Sequence, residues 1–283
     1  MAIEVKVIED SVSAAGNRLT TLQLKYPRFI HSELMTHRVF SRNASSSRAI
    51  PVAKVIEQVR NDPAMPIHWG ANQPGMQADV ELTGESLAEA ERLWILGAND
   101  AANIAQQMLN LGLHKQVANR GLEPYQWIHV VVTATEWDNF FELRCHPDAQ
   151  PEIHKLAVMM REAMRASLPY VLKEGDWHLP YVSQDERSDA QWEEDKSILM
   201  KISAARCARV SYLTHDNLAP IVAKDLELYE RLVGSKPIHA SPVEHQATPD
   251  YYDDFLECWN FSNLHGNFVG WIQQRKLLEQ TFA

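Results

Sequence analysis

Cysteine is scarce in this chain: Cys145, Cys207 and Cys258 are the three in 283 residues. They lie far apart with no CxxC spacing, so neither a disulfide framework nor a cysteine zinc site is expected, and a reducing compartment fits. Long apolar runs are missing too. The opening MAIEVKVIED has no apolar core of signal-peptide length, and no later segment is long and apolar enough to span a bilayer, so the expectation is a cytoplasmic chain with no membrane partner. Surplus positive charge is also missing. A formal net charge of -10 argues against a surface that coats duplex nucleic acid, which needs lysines and arginines along the phosphate track. No low-complexity segment interrupts the chain. What remains is a globular composition, 45% hydrophobic and 23% charged, with enough apolar side chains for a substantial core.

Alternation of apolar residues in IEVKVIED and TLQLKY predicts strands near 2–8 and 19–25, and PRFIHSELMTHRVF then changes to helical spacing. Ile30, Leu34 and His37 fall at i, i+4 and i+7, which places His37 and neighbouring Arg38 on or beside an inward stripe. SRNASSSRAIP reads as a polar loop, with Pro51 opening a helix over about 51–60. Residues 61–80 form a Pro-, Gly- and Asn-rich loop long enough to suggest a function. A long helix is expected over 84–112, a buried strand over 126–133, and helices near 135–144, 149–168, 190–209 and 219–234. GNFVGWIQQRKLLEQ reads as a last helix, with Phe268, Trp271, Ile272 and Arg275 on one stripe. The loop-rich stretch EGDWHLPYVSQDERSD marks a boundary between halves, 1–171 and 172–283, packed as one intertwined domain.

The stretch THRVFSRNASSSR concentrates hydrogen-bonding groups. Arg38, Arg42, Arg48, Arg120 and Arg144 stand beside turn-forming or polar segments, and a guanidinium fork suits phosphate or a pyrimidine carbonyl. With Ser45, Ser46 and loop N–H groups this is the chemistry of a phosphate cradle; taken alone, a polar loop capping the next helix, with its arginines solvated, is the better account. HASPVEH holds His239 and His245 six residues apart, a spacing that does not bring two imidazoles onto one helix face, so no metal site is expected. A turn with a satisfied His–Glu pair is the plainer account. Cys145 beside His146 is read as an ordinary half-buried thiol, since adjacent residues diverge. The tryptophans and Met76 around HWGANQPGMQ pin a loop or stack on a flat heterocycle.

Taken together, these elements resemble the flavin-dependent thymidylate synthases of the ThyX type. His37-Arg38, seven residues, then Ser46 and Arg48 is similar to that family's RHR motif with its following serine. Arg120 and Pro124 resemble its Arg-x-x-x-Pro element. Asn139 to Arg144 followed by Ala149-Gln150-Pro151-Glu152-Ile153 is similar to its Asn-Phe-Leu-x-Leu-Arg…Ala-Gln-x-Glu-Ile segment. Ala208-Arg209-Val210-Ser211 and HASPVEH match two further elements that in the family precede RHR; here they follow it by some 160 residues. That order, with a faint likeness between PRFIHSELMTHR and GNFVGWIQQRK, suggests a permuted or partly duplicated variant. Thr36, Glu33, Ala44 and Asp148 depart from the family pattern.

The resemblance implies an α/β (α+β) fold, a central antiparallel sheet flanked by helices, and a homo-oligomer, dimer or tetramer. It implies one-carbon transfer from methylenetetrahydrofolate to C5 of dUMP, with FAD as cofactor and NADPH as reductant. Ser46, Arg48 and Arg120 would hold the nucleotide, and Arg144, with Glu33, the pyrimidine; Ser46, Arg48 and Arg144 are the catalytic candidates. His37, Arg38, Asn139, Ser211 and His239 would lie on the flavin side. Gln274 or Arg275 would replace the guanidinium missing at Thr36. Two alternatives remain: a flavin- and folate-dependent methylase or hydroxymethylase of dUMP or dCMP, and a flavin- or nucleotide-binding protein without turnover.

Overall fold

The computed structural model describes residues 2–189, 193–210 and 221–281. Two ten-residue strands, β1 (Glu4–Ser13) and β2 (Arg18–Pro27), form an antiparallel hairpin. Gly16 turns its corner at φ +86°, a conformation that a Cβ disfavours. A 3-10 turn, Arg28–Ile30, leads into the short α1 (His31–Met35), and β3 (Ser41–Ala44) follows. Next come α2 (Val52–Asn61), α3 (Gly84–Asn110), α4 (Lys115–Ala118), a 3-10 segment Asn119–Tyr125 and β4 (Trp127–Ala134). The chain continues through α5 (Asp138–Arg144), α6 (Pro151–Ala166), β5 (Tyr170–Leu172), α7 (Gln184–Asp189), α8 (Glu193–Arg209) and α9 (Val222–Leu232). It ends with β6 (Ala247–Pro249), β7 (Tyr252–Asp253), β8 (Cys258–Trp259), β9 (Trp271–Gln273) and α10 (Gln274–Thr281).

The main sheet has the order β3-β4-β2-β1-β5, antiparallel throughout except for the short parallel pairing of β5 with β1. Period-2 alternation gives it two different faces. Leu22, Leu24 and Tyr26 of β2 with Ile128, Val130 and Val132 of β4 face α6, where Ile153, Leu156, Ala157 and Met160 complete the core. The opposite face carries Thr21, Thr133 and Ser11, all buried. It is covered by residues from the second half of the chain, among them Tyr181, Cys207 and Val210 against Val131. A buried hydrogen-bond chain crosses that interface. His178 bonds Ser11 Oγ at 2.9 Å and Thr21 Oγ1 at 2.8 Å, Thr21 meets Thr133 at 2.7 Å, and Thr133 meets His245 Nδ1 at 2.8 Å.

Beside the sheet, α2 and α3 pack through Val52, Val55, Ile56 and Val59 against Ala98, Ala102 and Ala105. Small residues on α3 permit this close approach. A Cβ at Gly97 would stand 2.5 Å from Tyr125 Oη.

Three expectations change. The polar loop after residue 40 begins as strand β3, pairing Ser41 with Thr133 and Asn43 with Val131. GNFVGWIQQRKLLEQ is not one helix: Gly266 and Gly270 turn at positive φ, Trp271–Gln273 pairs with β6, and only then does α10 begin. The two segments that looked alike therefore differ in structure. Arg38 lies beyond the end of α1 and is exposed, so it does not face inward, whereas His37 is buried.

Candidate functional site

Arg144 ends α5 and reaches across to the α1 region. Its Nε donates to His37 Nε2 at 3.0 Å, one terminal nitrogen to Glu33 Oε2 at 3.2 Å and the other to Thr36 Oγ1 at 3.2 Å. Three of the five N–H donors are thus fixed by the protein, leaving the fork oriented with donors to spare. His37 accepts through Nε2, so its proton sits on Nδ1. Burial holds its pKa below the usual range, and neighbouring Arg144 and Arg42 add to that. Its ring is wedged edge-on against Phe140 at 4.8 Å. Burial raises the Glu33 carboxyl, Arg144 lowers it and Glu152 raises it further.

Two clefts meet at Arg144. One, of about 1190 Å³, runs between the loop after α2 and the start of α6, lined by Glu33, Phe29, Met76, Trp94, Glu152 and Lys155 among others. That loop is tied down: Ile67 N–H donates to Glu152 at 2.8 Å, and His68 bonds the Ala78 carbonyl at 2.6 Å. The second, of about 1200 Å³, is lined by His37, Arg38 and Asn139, by Trp137, Phe140 and Phe141, and by Arg18, Arg161 and Arg165. Arg161 Nε is buried there with no hydrogen-bond partner among the described residues. Aromatic walls with basic groups at the edge suit a flat heterocycle carrying phosphates, so the residues fit a flavin dinucleotide.

A second group lies after β3. Ser45 pairs by its backbone with His129, and the Ser46 carbonyl accepts from Ala49 N–H at 2.9 Å, closing a turn. Ser46 Oγ accepts from Arg48 N–H at 3.3 Å. Asn119 braces the turn through the Ser47 and Ile50 carbonyls, and Lys115 Nζ donates to the Ala49 carbonyl at 3.0 Å. Arg120 reaches Glu123 Oε1 at 2.9 Å, the oxygen that also accepts from Ser47 Oγ at 2.7 Å and lies 3.5 Å from Arg28. Arg28, Lys115 and Arg120 thus lie around the turn that carries Arg48, with Glu123 as the single acid in these contacts. Arg28, Lys115 and Glu123 were not expected from sequence; only the fold brings them to the turn.

The structure therefore gathers Glu33, His37, Arg38, Asn139 and Arg144 around the two clefts, and Ser46, Arg48 and Arg120 around the turn. The clefts are not lined by the turn residues. Arg42 instead caps α1, donating to the carbonyls of Leu34, Met35 and His37. Arg275 pairs with Glu244 and Glu279 and lines neither cleft. Gln274 is buried beside it, its N–H bonded to the Gln246 carbonyl. His239 is exposed and also outside both. The His–Glu pair expected in HASPVEH is absent, since Glu244 binds Arg275 and His245 binds Thr133. Ser211 lies outside the described residues. Burial raises the Cys145 thiol, which does not suit a nucleophile. Among the described residues no group of three potential ligands could hold a metal ion, and no helix is long and apolar enough to cross a membrane.

A mixed sheet flanked by helices, with an arginine fork beside two clefts and a serine–arginine turn, defines an α/β protein. The model of the family Thy1, thymidylate synthase complementing protein, matches residues 17–170. That is more than half of the chain, and the chain belongs to this family. The match is continuous and includes both residue groups; it leaves out the Ala208–Ser211 and HASPVEH elements. Among solved structures, the fold is similar to a UMP/dUMP methylase, PolB, from Streptomyces cacaoi bound with 5-Br dUMP. There the TM-score is 0.50 at 19% identity, covering 57% of this chain and 89% of that one. The same enzyme bound with 5-Br UMP gives a TM-score of 0.47 at 19% identity, over 57% and 88%. At this identity the likeness is one of fold. No curated protein matches the sequence.

Proposed function

We propose that the chain is a flavin-dependent thymidylate synthase, transferring a one-carbon unit reductively from methylenetetrahydrofolate to C5 of dUMP, with FAD as cofactor and NADPH as electron donor. The observation that carries this reading is Arg144, held by Glu33, Thr36 and His37 where two large clefts meet. The family match and the neighbour bound with 5-Br dUMP support it.

In this reading the protein's work is placement and electrostatics. Arg144 donates to a pyrimidine carbonyl and draws electron density from the ring, and its three internal bonds remove the cost of orienting it. Glu33 stands beside it as acceptor for a ring N–H. Ser46, Arg48 and Arg120 hold the nucleotide phosphate. His37, Arg38 and Asn139 hold the flavin side, with aromatic walls excluding water. Reduced flavin held by these residues would supply the hydride. The separation of the phosphate residues from the clefts within one chain supports a homo-oligomer in which a second copy completes the site.

A second reading has a specific observation in its favour. The Glu33 carboxylate, a pure acceptor, is compatible with a cytosine amino group, which favours a methylase or hydroxymethylase of dCMP on the same scaffold.

The test is to load purified protein with FAD and supply NADPH, methylenetetrahydrofolate and either dUMP or dCMP, then weigh the products. The expected product is dTMP from dUMP. A hydroxymethyl or cytosine product selects the second reading; absence of flavin uptake together with absence of product refutes both.

A further inference from the structure

The phosphate turn already contains an anion. Glu123 Oε1 accepts from Ser47 Oγ at 2.7 Å and from Arg120 at 2.9 Å, and lies 3.5 Å from Arg28. One carboxylate oxygen thus collects a hydroxyl and two guanidinium groups, the donor set that a phosphate oxygen would attract. The bonds differ in how easily they are given up. Arg28 and Ser47 are sheltered, and Arg28 is tied to the Ser45 carbonyl as well. Arg120 is 57% exposed and meets Glu123 as an i,i+3 pair, a solvent-screened contact of small net worth. Arg120 can therefore turn to another anion while Glu123 stays in place.

We propose that Glu123 is a specificity-determining counter-anion of the phosphate turn. It holds Arg120 ready when no ligand is bound and limits the turn's positive charge to what a phosphomonoester neutralises, so that diphosphates and triphosphates are disfavoured. This rests on the reading that Ser46, Arg48 and Arg120 bind a nucleotide phosphate. Arg28 and Arg120 meet this single carboxylate, while Lys115 braces the turn at the Ala49 carbonyl and Arg48 is part of the turn itself. A phosphomonoester dianion is attracted by the excess, whereas each added phosphate brings further negative charge up against Glu123.

The experiment measures binding of dUMP, dUDP and deoxyuridine by calorimetry to the intact protein and to E123Q, E123D and R120Q. The amide of E123Q keeps an acceptor for Ser47, and thermal denaturation checks that it folds. Removing one like charge a few ångströms from the ligand at a partly exposed site is worth about tenfold in affinity. Glu123→Gln is expected to tighten dUMP by about that factor and dUDP by more, narrowing the preference for the monophosphate, while E123D keeps it. If E123Q folds yet leaves both affinities and their ratio unchanged, or weakens dUMP, Glu123 only supports the turn and the proposal fails. If dUMP binds no better than deoxyuridine to the wild-type protein and R120Q changes nothing, the phosphate reading itself fails.

Discussion

Replacing His245 by glutamine should remove part of the acid sensitivity of this fold. His245 is fully buried, its Nδ1 bonded to Thr133 Oγ1 at 2.8 Å, and burial holds its pKa down at about 3. In the unfolded chain a histidine titrates near 6.5. The folded value is the lower one, so the contribution is complete above about pH 6.5 and is lost as pH falls toward 3, because only the unfolded chain takes up the proton. Between pH 7 and pH 5 that loss is about 2 kcal/mol for one histidine, a large share of a typical 5–15 kcal/mol. His178, held well below the usual range by burial, then by Arg187 and His245, acts in the same direction. Glu9 acts in the other. Burial raises it to about 7 even though Arg187 lies 2.7 Å away, so the folded state holds that proton more tightly and gains stability as pH falls from about 7 toward 4.5. The wild-type profile alone is therefore a sum of opposed effects, and the variant isolates one of them. An amide at 245 can still bond Thr133 but does not titrate. Urea unfolding of wild type and H245Q at pH 7, 6 and 5 should show the stability difference shifting by about 2 kcal/mol in favour of the variant. A difference constant across that range would refute the account of His245 as a buried neutral base.

Arg144→Gln should weaken pyrimidine nucleotide binding by about 10- to 100-fold, the worth of a charge-assisted bond to the ligand, with dUMP titration as the readout. Its melting temperature should change little, because the three bonds of Arg144 lie at a partly exposed surface. Gly97→Ala should fail to give the gain of about 1 kcal/mol that alanine brings to an open helix interior, since the new Cβ would stand 2.5 Å from Tyr125 Oη and crowding offsets it; a clear rise in melting temperature would refute this.

The long elements were legible because their patterns are local. The expected helix over 84–112 is α3, Gly84–Asn110, and the expected strand over 126–133 is β4, Trp127–Ala134. β3 was not legible: Ser-Arg-Asn-Ala has no apolar alternation, because Ser41 is buried against the side chains of Asn267 and Gln273 rather than against hydrocarbon. The apparent helical stripe from Phe268 to Arg275 failed because pairing with Ala247–Pro249 decides the conformation of Trp271–Gln273. The positive-φ glycines 266 and 270 were the available signal. Among the candidate residues, motif spacing pointed to His37, Arg144, Ser46 and Arg120, whereas Arg28 and Glu123 pair, and Lys115 reaches the turn, only after folding.

The segment beyond the family match is tied to the site through the sheet. The polar row Ser11, Thr21 and Thr133 would be a poor face to bury against hydrocarbon, since unpaired hydroxyls there cost free energy. His178 and His245 satisfy that row, while Tyr181, Cys207 and Val210 cover the apolar positions between. The same segment grips β3, where Gln273 and Asn267 bond Ser41 and Asn267 bonds the Val39 carbonyl. β3 runs directly into the turn that carries Ser46 and Arg48. The start of that turn is therefore fixed from one side by β4 and from the other by the carboxyl-terminal segment. If the turn binds a phosphate as proposed, this rigidity favours it, since donors that must be reordered at each binding event give up affinity to conformational entropy.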